Sequence, residues 1–298
     1  MSTRIYSSFL ALLLAAAAGA APVPAKITVG SRTWDGFLTG RNDDLITFSQ
    51  GEMAGGNVSY PASAIKDVEF PVEYDETQVN NMMQDRLYEE LIVTLESALQ
   101  PFSEYRDLPS NLARFEGVLM ELHYKIGNYD RCLEYSERLI KDDRDPELQR
   151  KSLIFRGLSL LESGRTEEAQ ALFDEQGWNA EMQEDAPAED LYITAKFMFM
   201  KKEFVKAAET VAKVIAFHSQ DPDWMRPAEM LCAEIYLGMA EAKDDPDFLD
   251  SADEVIREIT VLYKDTDEAE QAQKLKLKVD ALRSEMGAET GVGDLFGR

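Results

Sequence analysis

The feature that most constrains the fold of this chain is a short motif that recurs three times at a nearly constant interval. Each copy begins with a turn and continues into an amphipathic run, and the copies are Gly127–Leu133, Gly164–Gln170 and Lys202–Ala208. The same place in each copy holds a small residue, namely Cys132, Ala169 and Ala207, at intervals of 37 and 38 residues. Such a period predicts a supersecondary unit that is repeated along the chain.

A second set of residues follows the same period. Twelve residues before each small residue lie Met120, Gly157 and Ala195. Small side chains on two successive helices allow the helices to approach closely, which is typical of stacked helix-turn-helix units. Because a stack of this kind offers surface rather than reactive groups, the pattern favours binding of another macromolecule.

The composition is that of a globular protein with a strong negative charge. The chain has 298 residues, of which 45% are hydrophobic and 29% charged, and its formal net charge is -25. Nearly all of this charge lies after residue 70. Such a field repels nucleic acids and anionic lipid surfaces and favours a basic partner, although a solvated helical surface has the same composition.

Residues 1–20 have the pattern of a secretory signal peptide. Arg4 precedes an apolar run from Phe9 to Ala18, and Ala18-Gly19-Ala20 matches a small-residue cleavage site. The run is about half of the roughly 20 apolar residues that a membrane span needs. We therefore expect an exported protein, periplasmic or secreted, that is soluble after cleavage and does not insert directly into a membrane.

Residues 21–71 predict a small β module. Short β-rich runs alternate with glycine-containing turns, and the runs are Ile27–Val29, Thr33–Thr39, Leu45–Phe48, Asn57–Tyr60 and Ala64–Phe70. Five short strands favour a curled sheet or barrel, and the order of motifs from Trp34 to Val68 resembles an Sm-like or SH3-like barrel. RNA binding, which some relatives of that fold perform, is not expected because the few basic residues are offset by acids.

Helices are predicted for the rest of the chain. Residues 72–108 form a connecting segment with one helix that ends near Leu99, and residues 109–264 form helix pairs. The predicted pairs are 110–126 with 129–141, 147–163 with 166–176, 188–201 with 204–218, and 225–242 with 250–264. The predicted N-caps are Asp75 or Thr77 for the connecting helix, and Asp145, Thr166, Ser251 and Asp267 for later helices. Residues 265–286 form a capping helix, and residues 287–298 a flexible tail.

The helix pairs resemble tetratricopeptide (TPR) repeats of bacterial envelope proteins. The second pair matches best, through Leu153, Gly157, Leu160, Gly164, Ala169 and Phe173. The resemblance implies a mainly α fold, an α-solenoid of three to four helix hairpins with a capping helix, preceded by the β module. The interval exceeds the family's period of about 34 residues, and an unrelated helical bundle is the alternative.

The sequence predicts no catalytic residue, metal or cofactor. His123 and His218 fall in different pairs, and neither a zinc spacing nor a phosphate-binding glycine loop is present. The acidic stretches 142–145 and 244–250 lack the order of a calcium-binding EF-hand loop. Cys132 and Cys232 fall almost three units apart, so we expect two unpaired buried thiols rather than a disulfide.

Partner-binding residues follow from the resemblance, which implies that the first helix of each pair lines a concave face. The expected residues are Arg114, Tyr124, Lys125, Lys151, Ile154, Leu158, Tyr192, Lys196 and Phe199. The wider face also includes Glu121, Leu161, Glu162 and Met200. Aromatic and methionine side chains suit a protein or peptide segment, but the apolar members could equally pack against neighbouring helices.

These observations favour an exported, non-enzymatic scaffold or adaptor that binds a protein segment in a groove. One alternative is a structural subunit that forms a homo-oligomer through its β module. Another is an enzyme with an unrecognised carboxylate site, which the abundance of acids neither supports nor removes.

Overall fold

The computed structural model describes residues 21–50, 56–142, 144–180 and 182–287. The described chain is mainly α-helical, with a small antiparallel sheet at its N-terminal side. It forms two compact units, one that ends at Leu122 and one that begins at His123. The predicted signal peptide and nearly all of the predicted tail lie outside the described residues.

The first unit begins with the predicted five strands. They are β1 (Val23–Val29), β2 (Arg32–Asn42), β3 (Leu45–Ser49), β4 (Val58–Pro61) and β5 (Ile65–Glu69). The sheet order is β4-β3-β2-β1-β5, and every pairing is antiparallel. A short 3₁₀ segment, Ala62–Ala64, joins β4 to β5.

One face of the sheet carries the core of this unit. Its buried side chains alternate along the strands and include Ile27, Leu38, Ile46 and Val68. Gly36 is required where β2 passes over β3, because a Cβ there would lie 2.1 Å from the carbonyl oxygen of Ser49.

The outer edge of β5 is covered by the segment that precedes the third helix. The amide of Val68 donates to the carbonyl of Pro109 at 2.8 Å, and the amide of Asn111 donates to the carbonyl of Val68 at 3.2 Å. The Asn111 side chain also accepts from the amide of Phe70 and donates to its carbonyl, each at 2.9 Å. These bonds satisfy backbone groups that an edge strand otherwise exposes.

The connecting segment differs from the prediction of one helix that ends near Leu99. It contains α1 (Glu76–Gln84) and α2 (Tyr88–Leu99), then a 3₁₀ segment, Gln100–Tyr105. The helix breaks because Arg86 has a φ of 57° and the amide of Asp85 closes α1 on the carbonyls of Asn81 and Met83. A left-handed residue ends a helix in this way. The next helix, α3 (Leu112–Lys125), begins in the first unit.

The second unit contains the remaining helices. They are α4 (Tyr129–Leu139), α5 (Pro146–Glu162), α6 (Thr166–Gln176), α7 (Ala188–Met200), α8 (Phe204–Phe217), α9 (Pro222–Lys243), α10 (Asp247–Leu262) and α11 (Asp267–Glu285). These bounds lie within a few residues of the predicted ones. Beside contacts between helices that follow each other in the chain, α5 contacts α7, α7 contacts α9, and α9 contacts α11.

The small residues of the repeated motif occupy equivalent places. Cys132, Ala169 and Ala207 are each the fourth residue of α4, α6 and α8, and each is completely buried. Gly157 on α5 faces Ile193 on α7. A Cβ atom at position 157 would lie only 2.6 Å from Cδ1 of Ile193. The three repeated small residues are thus buried at the same position of their helices, and at Gly157 a larger residue would meet a neighbouring side chain.

Two of the five predicted N-caps are right. The Asp75 side chain accepts from the amide of Gln78 at the start of α1. The Asp145 side chain accepts from the amide of Leu148 at 2.9 Å at the start of α5. Thr166 is instead the first residue of α6, after Arg165 at the cap position. Ser251 lies inside α10, which begins at Asp247, and Thr266 rather than Asp267 caps α11. In each error the helix begins at or before the residue that was expected to cap it.

Cys132 and Cys232 form no disulfide with each other, as predicted; Cys132 is buried, whereas Cys232 is only partly buried. Burial raises the pKa of the Cys232 thiol to about 11, so this thiol is protonated at neutral pH. No helix among the described residues is long and apolar enough to cross a bilayer.

Candidate functional site

A group of polar and aromatic side chains gathers where successive helices of the second unit meet. It consists of Tyr124, Glu162, Tyr192, Lys196 and Glu234, and we call it the lysine cluster. The contacts of α7 with α5 and with α9 bring these residues together across the sequence. Tyr192 and Lys196 are four residues apart on α7, so they share one face of that helix.

Lys196 is the central cation of the lysine cluster. Its Nζ lies 2.7 Å from Oε1 of Glu162, and its side chain is only 12% exposed. Burial by itself would lower the pKa of Lys196, but its electrostatic interactions with Tyr192, Tyr124, Glu234 and Glu162 raise it by more. The pKa is therefore raised well above its ordinary value, and the amine stays protonated.

Glu234 is the second carboxylate of the lysine cluster and is held differently. Burial raises its pKa, the nearby Glu162 raises it further, and Lys196 and Lys278 lower it. No hydrogen bond or ion pair joins its carboxylate to another described residue. Glu234 thus carries the cost of partial burial without the hydrogen bonds that usually offset it.

Tyr192 has a buried ring and a hydroxyl without a partner. The residue is 7% exposed, and burial raises the pKa of its hydroxyl. Among the described residues this hydroxyl has no hydrogen-bond partner, and it is not sealed from solvent either. It therefore retains both a donor and an acceptor for a ligand.

Aromatic rings surround the cluster. The ring of Tyr192 lies 5.5 Å from that of Trp224 at the start of α9, measured between centroids. Tyr124 packs edge-on against Phe155 at 5.3 Å and tilted against Tyr129 at 5.8 Å. These distances are usual for aromatic contacts. Four of the rings are only half-buried, namely those of Tyr124, Tyr129, Phe155 and Trp224.

An ion pair links the two ends of the second unit's sequence. The Nζ of Lys125, at the end of α3, lies 3.4 Å from Oδ2 of Asp267, at the start of α11. Both side chains are partly exposed, so the pair contributes little stability.

The residues predicted from the family resemblance fall into three groups. Tyr124, Tyr192 and Lys196 come together in the lysine cluster. Ile154 and Leu158 are 1% and 3% exposed and belong to the hydrophobic core of the second unit.

The remaining members of the predicted set are elsewhere. Lys125 and Lys151 are exposed, and Phe199 is half-buried beside Phe204, with their ring centroids 5.9 Å apart. Arg114 belongs to the first unit, where its guanidinium lies 4.6 Å from the centroid of the Phe115 ring.

Sequence reasoning missed Glu234 and Trp224. A usable signal existed for Glu234, since it is the only charged residue of α9 between Glu229 and Glu241 and interrupts an apolar run. A lone acid in such a run indicates a polar contact that the periodicity does not explain. Trp224 offered no comparable signal.

The chemistry available to the lysine cluster is that of recognition. A lysine with a raised pKa is a poor nucleophile, and tyrosines with raised pKa values are poor bases at neutral pH. The described residues contain no group of three or more histidine, cysteine or acidic side chains that could hold a metal ion. The cluster can donate and accept hydrogen bonds and bind charge.

Comparison with known proteins adds no assignment to this geometry: no protein-family model matches the chain, and no curated protein matches it.

Proposed function

We propose that this chain is an exported, non-enzymatic scaffold, and that its second unit is a TPR-like solenoid that binds a protein segment along α5, α7 and α9. The observation that carries this proposal is a set of half-buried aromatic rings at the lysine cluster. Tyr124 of the cluster, at the end of α3, contacts Phe155 on α5, and Tyr192 of the cluster contacts Trp224 on α9. The equivalent burial of Cys132 and Ala169 supports the repeat assignment. Export depends on the signal-peptide pattern of the sequence.

Binding is favoured over catalysis because the groups that remain available to a ligand are half-buried aromatic rings, the Tyr192 hydroxyl and the Glu234 carboxylate. Half-buried aromatic side chains supply much of the binding energy at protein interfaces, since their rings lose little conformational freedom. Hydrogen-bonding groups among them fix the register of an extended or helical segment.

The test is selection of peptides from a random library on the signal-free chain, followed by calorimetry of the selected peptides. We expect Trp224→Ala to weaken their binding at least about tenfold, the effect of removing an aromatic anchor. Phe217→Ala is the matched control, because Phe217 is an exposed aromatic residue on α8, which is not one of the three helices proposed to bind the segment. The proposal fails if no peptide is enriched, or if the two variants bind the peptides equally well.

A second candidate function is self-association through the β module, and the sheet edges favour a specific form of it. The edge strand β4 has no further strand partner among the described residues, whereas the backbone of β5 is already bonded to Pro109 and Asn111. Because only one edge is available, pairing of β4 with β4 of a second copy would give a twofold dimer rather than a ring. Leu45 and Val58 beside this edge are exposed.

Light scattering after size-exclusion chromatography tests this second candidate. A dimer that Val58→Lys converts to a monomer would support it, since a charged edge residue opposes strand pairing. A monomer at every concentration, or a dimer that Val58→Lys leaves intact, would remove it.

A further inference from the structure

We infer that the bound segment presents a positively charged side chain, an amine or a guanidinium, to Glu234 in the lysine cluster. This inference rests on the proposed function and specifies the chemistry of the partner. It depends on three features: an unpaired carboxylate, the charge balance around it, and a solvent-accessible hydroxyl without a described partner on an otherwise buried tyrosine.

The unpaired carboxylate is that of Glu234. Protein surrounds it enough to raise its pKa, yet no described donor bonds to it. A partly buried carboxylate gains most from a charged donor, because the lower effective dielectric strengthens the attraction and the hydrogen bond replaces lost hydration. Lys196 does not fill this role, since its amine lies 2.7 Å from Glu162.

The charge balance selects a cation over an anion. The charged groups that act electrostatically on the Tyr192 hydroxyl or on the Glu234 carboxylate, counted together with Glu234 itself, are two lysines and three carboxylates. They are Lys196, Lys278, Glu162, Glu234 and Glu268. Two positive and three negative charges leave one net negative charge. A ligand carboxylate would meet repulsion from the acidic side chains, whereas an ammonium or guanidinium group would neutralise the excess.

Tyr192 supplies the observation that points to a ligand independently of the acids. Its side chain is more than nine-tenths buried, its hydroxyl has no described partner, and it is electrostatically coupled to Lys196 and Glu234. The neighbouring ring of Trp224 adds an aromatic surface of the kind that attracts cations. The Tyr192 hydroxyl and the Trp224 ring thus offer further contacts to a cationic side chain that binds the Glu234 carboxylate.

The test uses three tripeptides, acetyl-Gly-X-Gly-amide with lysine, norleucine or glutamate at X, titrated into the signal-free chain. Binding is followed by the indole N–H resonance of Trp224, which is one of only three tryptophans. Trp178 is an internal reference because its indole already donates to Asp190 at 3.0 Å. We expect a saturable shift with the lysine peptide, a smaller one with norleucine and none with glutamate.

The paired variants are Glu234→Gln and Glu241→Gln, both on α9. Glu234→Gln is expected to weaken binding of the lysine peptide at least about tenfold, while Glu241→Gln, at an exposed position, leaves it unchanged. Glu234→Gln should also raise the melting temperature at neutral pH, because it removes a charge that burial disfavours. A purely structural glutamate would not combine tighter folding with weaker binding.

The outcomes separate this inference from the proposed function. If library-selected peptides bind but show no preference for a cation, or bind equally to Glu234→Gln, the inference is wrong and the groove proposal stands. If no peptide of either set binds, both are wrong. Equal shifts with the lysine and glutamate tripeptides would also overturn the inference.

Discussion

The Nζ atom of Lys196 on α7 lies 2.7 Å from Oε1 of Glu162 on α5, and this ion pair joins helices whose contact residues are 34 positions apart in the chain. The lysine side chain is almost buried, whereas about a third of the glutamate side chain is exposed. The pair therefore lies between a surface salt bridge and a buried one.

Lys196→Met is expected to lower the free energy of unfolding by about 1–2 kcal/mol, since it leaves Glu162 and Glu234 without their common cation. The folded-state pKa of Lys196 is raised, so its stabilisation is fully present below the unfolded pKa and is lost only as pH rises through the folded value. The decrease in the free energy of unfolding caused by Lys196→Met should thus be constant between about pH 6 and 9. Chemical denaturation measures it.

Lys206→Met is the control for that experiment. Lys206 also pairs with a glutamate, Glu203 at 2.8 Å, but its side chain is 66% exposed. No measurable loss is expected from this variant. Equal stabilities of Lys196→Met and the wild type would contradict the first expectation.

Gly157→Ala is expected to destabilise the second unit, although the same change in an unpacked helix usually stabilises it. The new Cβ would lie 2.6 Å from Cδ1 of Ile193 and 3.4 Å from the rings of Phe173 and Trp178. Overpacking of this kind costs about 1–3 kcal/mol, more than the gain of about 0.5–1 kcal/mol in helix propensity.

A double-mutant cycle tests the stated cause. Ile193→Val removes the Cδ1 atom that the new methyl group would meet, so the two changes together should cost less than the sum of the single changes. Strict additivity would show that the contact with Ile193 is not the origin of the loss.

Ala169→Leu and Ala171→Leu provide a matched pair on α6. Ala169 is completely buried at the repeated small-residue position, whereas Ala171 is exposed two residues later. A leucine at Ala169 should separate the packed helices and cost about 1–3 kcal/mol, while one at Ala171 should have no measurable effect. Similar melting temperatures for both variants would show that the repeated position tolerates large side chains.

The ion pair between Arg41 and Asp107 predicts a pH dependence in the first unit. The Arg41 hydrogen bonds, of which one joins Nη2 to Oδ2 at 2.7 Å, lower the pKa of Asp107 despite its partial burial. Because the pKa of Asp107 is lower in the folded than in the unfolded chain, ionised Asp107 stabilises the folded state at pH values above the unfolded pKa of 3.8. This stabilisation is lost as the pH falls through the folded-state pKa. Asp107 is 55% exposed, so we expect only about 0.5–1 kcal/mol.

Hydrogen exchange of the Val68 amide measures this contribution, because that amide bonds to Pro109 near Asp107 in the chain. Asp107→Asn should speed the exchange of this amide at neutral pH, and the difference from the wild type should shrink as pH falls through the lowered pKa of Asp107. Asp35→Asn, an exposed position on β2, should change neither value. A difference between Asp107→Asn and wild type that persists at low pH would assign the effect to something other than the carboxylate charge.

The sequence predicted the helices well wherever a local signal marked their ends. The prediction of 166–176 for α6 agrees with Thr166–Gln176, because Gly164 has a φ of 71° and Gly177 one of 75° at the two turns. The break at Arg86 was missed because an arginine in the left-handed region gives no such local signal.

The candidate site was predictable only in part. The face assigned to α5 included Ile154 and Leu158, which are buried, because α5 contacts α4, α6 and α7 and has little surface left open. A helix that packs on several sides loses the simple apolar stripe from which an open face is read. Tyr192 and Lys196 were placed on one face correctly because their spacing is helical.

The spacing of small and apolar side chains thus determined, from the sequence alone, which segments are helices and which positions must be buried, since both depend on local periodicity and size. Only the tertiary structure decided that Lys196 pairs with Glu162 and interacts electrostatically with Glu234. These residues are 34 and 38 positions apart in the chain, and their meeting depends on how α7 packs between α5 and α9. Local preference does not encode that long-range contact.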